Sequence, residues 1–136
     1  MAAVPINYWA ILVASIAKFF IGFVWFTFLF GKQWAALQKM GPEMMGNKQV
    51  MTRGMIIDFV VGLVLAWVLV HVIRWGGAND WLLGVKMGAF TWLGFIGVTT
   101  LSGNTWENRP VALWLINNGY LLLSLVAMSV ILALWV

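Results

Sequence analysis

Four stretches of this 136-residue chain are long and apolar enough to cross a bilayer, and almost nothing is left once they are set aside. They run at about Tyr8 to Phe30, Met55 to Ile73, Trp81 to Leu101 and Val111 to Val136, each close to the roughly 20 residues that a spanning helix needs. Backbone amides in hydrocarbon have no water to bond, so such stretches must be helical. Composition agrees. The chain is 63% hydrophobic and only 9% charged, with a mean hydropathy of +0.95, which does not describe a water-soluble domain. The expected fold is all-α, an integral membrane four-helix bundle made of two helical hairpins. With no linker in the sequence, residues 1–136 read as one domain.

Four spans put both termini on one side with the second loop, and the first and third loops on the other. Lys32, Lys39, Lys48 and Arg53 lie in the first loop and Arg109 in the third, against Arg74 in the second. Cationic loops stay in the cytoplasm, so the N- and C-termini are expected outside. Met1 to Asn7 lacks the positive start of a signal peptide and no small-residue cleavage site follows, so the first run is expected to be retained as a span. Tyr8, Trp9, Trp34, Trp75, Trp81, Trp106 and Trp135 fall near span ends, as rings anchored at headgroup level do. Trp25, Trp67 and Trp92 lie deeper and are expected to pack between helices. In the first loop Trp34, Leu37 and Met40 recur at three-residue spacing, which predicts a short interfacial helix ended by Gly41 and Pro42. Gly76, Gly77 and Asn79 predict a tight turn between Arg74 and Asp80.

Much chemistry is excluded. There are no cysteines, hence no thiolate nucleophile, disulfide exchange or iron–sulfur site. The one histidine, His71, has no carboxylate cluster around it and reads as an interfacial residue. No Ser-His-Asp set and no paired carboxylates are present, so neither enzymatic activity nor a metal or cofactor is expected. A formal charge of +4 concentrated in one loop does not make a nucleic-acid surface.

The sharper signal is polar residues inside the spans. Lys18 sits near the middle of the first apolar run, where a cation costs about 2.5 to 3.5 kcal/mol on insertion scales. Ala10, Ala14, Lys18 and Gly22 recur every four residues, a stripe of small side chains along which another helix can approach. Asp58, Gly62 and Ala66 make a similar stripe in the second span, and Asn117, Tyr120 and Ser124 share a face of the fourth. From the expected boundaries, Lys18 lies deeper than Asp58 by roughly 8 to 10 Å of helix rise, so pairing between them calls for tilt or a bridging water. The candidate polar site comprises Lys18, Asp58, Thr99, Thr100, Asn117 and Asn118. One reading makes these residues interhelical ties that hold a packed bundle together. The other makes them the lining of a hydrated cavity, with Lys18 as an anion attractor or proton-linked group and Asp58 as its counter-charge.

A gapless match of Phe19–Trp34 to Thr91–Trp106 keeps six of sixteen positions, Gly22 with Gly94 and Trp34 with Trp106 among them. A repeat of this kind would relate hairpins 1–75 and 76–136 by an axis along the membrane normal, a parallel repeat.

Three resemblances follow. The small multidrug exporters share this size and helix count but carry an acidic residue in the first span, where this chain has Lys18. Gly94-Phe95-Ile96-Gly97-Val98-Thr99-Thr100-Leu101-Ser102 resembles the Gly-Phe-x-Gly…Thr-Thr-x-Ser signature of the small four-helix fluoride channels, with one residue fewer before the threonines and no first-span arginine. That likeness implies threonines lining an ion path at a dimer interface. Without it, Thr99 and Thr100 are expected to bond back to the preceding turn. The third covers most of the chain. Trp25 to Trp34 with its Gly31-Lys32-Gln33-Trp34, then Trp106-Glu107-Asn108-Arg109-Pro110 and Leu113 to Tyr120, are similar to the bacterial membrane family known as domain of unknown function 1761. The resemblance implies a four-helix protein of the bacterial inner membrane and no activity, substrate or cofactor. Lys18 is not part of that pattern, whereas Glu107, Arg109 and Asn117 are.

Pro110 suits the first turn of a helix. Glu107 beside it is placed to accept from free amides there or to pair with Arg109 or a first-loop lysine. The expected partners are the lipid bilayer, a second copy of the chain or another membrane protein, and anionic lipid headgroups at Lys32, Lys39, Lys48 and Arg53. The expected function is a structural or accessory membrane subunit; the alternative is a small anion or proton-linked channel or carrier that uses Lys18.

Overall fold

The computed structural model describes residues 6–38 and 48–135, and among them all regular structure is helical. Four helices are long and apolar enough to cross a membrane: Tyr8–Leu29, Lys48–Trp75, Trp81–Trp106 and Val111–Leu134. They are the first to fourth spans below. A short helix, Gly31–Gln38, follows the first. Its expected end at Gly41 and Pro42 lies outside the described residues, as do Lys39 and Met40.

Local chemistry sets most boundaries. The Asn7 side-chain oxygen accepts from the Trp9 and Ala10 amides at 3.1 and 3.4 Å, capping the first span in the way short polar side chains do. Trp25–Leu29 winds as a π-helix, and the Phe30 amide closes that turn on the Trp25 carbonyl at 2.8 Å. Gly31 is needed there because a Cβ would come within 2.5 Å of the Phe26 carbonyl oxygen. The second loop is the expected tight turn, with Gly77 at φ 72°, and Asp80 caps the third span by accepting from the Leu83 amide at 2.7 Å.

Two spans are longer than expected. The second begins at Lys48 and not near Met55, because Gln49, Thr52 and Arg53 continue the helix out of the apolar stretch. The third runs on to Trp106, its last turns held in part by Thr105 donating to the Leu101 carbonyl at 2.8 Å. Pro110 stands just before the fourth span as its cap rather than inside the first turn.

The fourth span is the hub. It packs against the other three, and the first span lies between the second and the fourth. The third span comes closest to it at Gly84 and Gly88, where added Cβ atoms would meet Val130 Cα at 3.0 Å and the Leu125 carbonyl oxygen at 2.8 Å. The apolar core gathers in the half that carries the second loop, with Ala10, Ala14, Ala66, Leu69, Ile73, Leu125, Met128 and Leu132 fully enclosed. The half toward the first and third loops holds most of the bonds between polar side chains of different spans, while Ser129 and Arg74 lie in the other half, Arg74 donating to the Leu132 carbonyl at 3.0 Å. Trp25 and Trp92 pack between helices as expected; Trp67 does not, being 49% exposed and set edge-on to His71.

The repeated segments have unlike surroundings. Gly31–Trp34 belongs to the separate short helix, while Gly103–Trp106 continues the third span. Gly22 lies against the Tyr120 ring, and nothing stands within 4 Å of a Cβ at Gly94.

Candidate functional site

Lys18 is 2% exposed and its ammonium group has partners on two other spans. It donates to Asp58 Oδ1 at 3.1 Å and to the Tyr120 hydroxyl at 2.9 Å, tying the first span to the second and fourth at one point. The nitrogen also stands 5.3 Å from the centre of the Tyr120 ring, within reach of a cation–π attraction. Small residues make this possible. Gly62 faces the lysine stem, with Lys18 Cδ 3.6 Å from where its Cβ would be, and Gly22 leaves room for the Tyr120 ring, which a Cβ would approach to 3.1 Å.

The ion pair is direct, its 3.1 Å separation leaving no room for a bridging water. Lys18 stands eleven residues before the end of its span at Leu29, and Asp58 ten residues after the start of its own at Lys48. Both are therefore about 15 Å from the same end. The expected depth difference came from starting the second span at Met55. Asp58 is nonetheless the open side of the pair, its side chain 44% exposed against 3% for Lys18.

The other candidates form a second cluster. Thr100 Oγ1 has its one proton between the Ile96 carbonyl at 2.6 Å, in its own preceding turn as expected, and Asn118 Oδ1 at 2.8 Å, and it accepts from Trp114 Nε1 at 3.1 Å, joining the third and fourth spans. Asn118 in turn donates to the Trp114 carbonyl at 3.1 Å. Asn117 Oδ1 accepts from Trp34 Nε1 at 2.9 Å, which seats the short helix on the fourth span. Trp25 Nε1 donates to the Ile116 carbonyl at 2.9 Å. Thr99 takes no part: its hydroxyl bonds back to the Phe95 and Ile96 carbonyls at 2.7 and 3.1 Å. Ser124, on the face of Asn117 and Tyr120, is buried with no partner for its hydroxyl among the described residues.

At the loop end of this cluster, Arg109 Nε donates to Glu107 Oε2 at 2.9 Å. Glu107 thus pairs with Arg109 and not with the helix start. The turn between them places Asn108 at φ 57°, a left-handed conformation that asparagine tolerates, and Asn104 Nδ2 holds it by donating to the Arg109 carbonyl at 3.1 Å. A cleft of about 340 Å³ opens beside these residues and extends to Asn117, Asn118 and Leu121. A groove of about 430 Å³ runs along the start of the second span past Lys48 and Arg53. Lys18 lines neither. Among the described residues no group of histidines and carboxylates could hold a metal ion.

The residues that carry the family resemblance thus converge on the second cluster, through Trp34, Glu107, Arg109 and Asn117. A family model described as a protein of unknown function, DUF1761, matches residues 9–133. The chain belongs to that family. No curated protein and no solved structure matches it. Within this DUF1761 chain the family pattern and the Lys18 triad meet on the fourth span, where Tyr120 belongs to both and Asn117 to the pattern alone.

Four participants were not among the expected site residues: Tyr120, Trp25, Trp34 and Trp114. Tyr120 was legible as a member of a polar face, but its partner Lys18 stands 102 residues away in sequence. Trp34 reads from the sequence as an interfacial anchor, Trp25 as a ring between helices and Trp114 as part of the family pattern, and only the fold aims their indole N–H groups at partners. Lys86 is a further cation inside the expected third span; it is exposed, near the end that carries the second loop.

Proposed function

We propose that this chain is a non-enzymatic structural or accessory subunit of the bacterial inner membrane, with its termini outside and its first and third loops in the cytoplasm. The observation that carries this reading is the closed state of Lys18, an ammonium group already given to Asp58 and Tyr120 and enclosed by three spans. An ion path needs a site that can exchange partners, and a cation spent on two ties within the chain acts as a joint. Broad exposed apolar faces on the second and third spans, Ile56, Val60, Val64, Phe90 and Phe95 among them, meet lipid, a second copy or another membrane protein. The groove past Lys48 and Arg53 suits an anionic headgroup.

The competing reading, a small anion or proton-linked channel or carrier, draws on the half-exposed side of Asp58. Flux from proteoliposomes under fluoride, chloride and proton gradients separates the two. A subunit of the proposed kind gives no flux above empty liposomes, with or without Lys18→Met. Selective flux that the substitution abolishes contradicts it.

A further inference from the structure

We propose that the cleft between the ends of the third and fourth spans binds the headgroup of a zwitterionic aminophospholipid, phosphate and ammonium together. Its mouth presents both signs of charge. The Glu107–Arg109 pair uses only Nε and Oε2, so the two terminal amino groups of the guanidinium and the second carboxylate oxygen of Glu107 have no partner among the described residues. Arg109 and the free amide nitrogen of Asn117, whose oxygen is occupied by Trp34, can hold phosphate oxygens, and a guanidinium does so with well-matched geometry. Glu107 can accept from a primary ammonium group, which a choline headgroup cannot offer and a glycerol headgroup lacks. Deeper in, Thr100 accepts from Trp114 and lies 2.8 Å from Asn118 Oδ1, and Leu121 lines the cleft further along the fourth span, which suits the start of an acyl chain. The order of charge, amide and hydrocarbon along the cleft is that of a phospholipid entering from its headgroup end. Trp106 beside it, 88% exposed, has the position of an interfacial ring.

Gly103 supplies the test. It borders the cleft, and nothing stands within 4 Å of a Cβ placed on it, so Gly103→Leu starts from open space beside the cleft and is expected to narrow it. The full chain would be studied by native mass spectrometry with dilauroyl phosphatidylethanolamine, phosphatidylglycerol and phosphatidylcholine at equal concentration. The same measurement on Gly103→Leu and Glu107→Gln, each confirmed folded by circular dichroism, and on the wild type with water-soluble O-phosphoethanolamine alone, completes it. Phosphatidylethanolamine should be retained roughly tenfold above the other two, the scale of one charge-assisted hydrogen bond. Gly103→Leu should erase that preference, and Glu107→Gln should turn it toward phosphatidylglycerol. Equal retention of the three lipids, a preference for phosphatidylglycerol in the wild type, or selectivity that survives both substitutions would overturn the assignment. Saturation by O-phosphoethanolamine without lipid would overturn the lipid as the occupant.

Discussion

Thr100 and Thr99 are neighbours with opposite expected consequences. Thr100→Val removes the acceptor for Trp114 Nε1 and the donor to Asn118, and the loss of bonds between two spans is expected to cost about 1 kcal/mol. Thr99→Val removes only bonds to its own preceding turn and should leave stability within about 0.5 kcal/mol of wild type. Unfolding in mixed micelles with rising dodecyl sulfate measures both. The contrast also marks what a sequence can convey at this scale. Adjacent threonines on a helix are indistinguishable until the facing span is known. The importance of Lys18 was legible because a cation in an apolar run is costly wherever its partner lies, but the partner was not, since Asp58 and Tyr120 are 40 and 102 residues away.

Elements were read well in number and type and less well in length. Apolar runs set where a helix can cross, whereas the second span continues through Lys48 to Arg53 because helix formation does not stop at the edge of hydrocarbon. Those seven missing residues hid that Asp58 lies level with Lys18. Packing between elements also rests on positions whose sequence carries no warning. Gly88→Ala brings a methyl within 2.8 Å of the Leu125 carbonyl oxygen and 2.9 Å of Val126 Cα, so the third span must move off the fourth, at an expected cost of about 1 to 3 kcal/mol. Gly94→Ala, in the same span with open space around it, should be neutral or slightly stabilising, since alanine favours the helix by about 0.5 to 1 kcal/mol over glycine. Thermal unfolding in detergent distinguishes them.

At the scale of the molecule, the chain divides along its helices: a mostly apolar core around the second loop, and interhelical polar ties concentrated in the half toward the first and third loops. Lys18 stands at the boundary and is the fully buried charged residue among those described. Membrane class and helix count were legible because they follow from composition. The division was not, because it depends on which faces the fourth span gives to its three neighbours. The account stands on Lys18 and Asp58 acting as a joint, and a double-mutant cycle on Lys18→Met and Asp58→Asn, followed by dodecyl sulfate unfolding, tests that most directly. Asp58→Asn strands a buried ammonium and should cost about 2 kcal/mol, more than Lys18→Met, which leaves a half-exposed carboxylate. The double variant should recover stability relative to Asp58→Asn alone, with a coupling of about 1 to 2 kcal/mol between the sites. Additive effects, or a larger loss for Lys18→Met than for Asp58→Asn, would contradict the account.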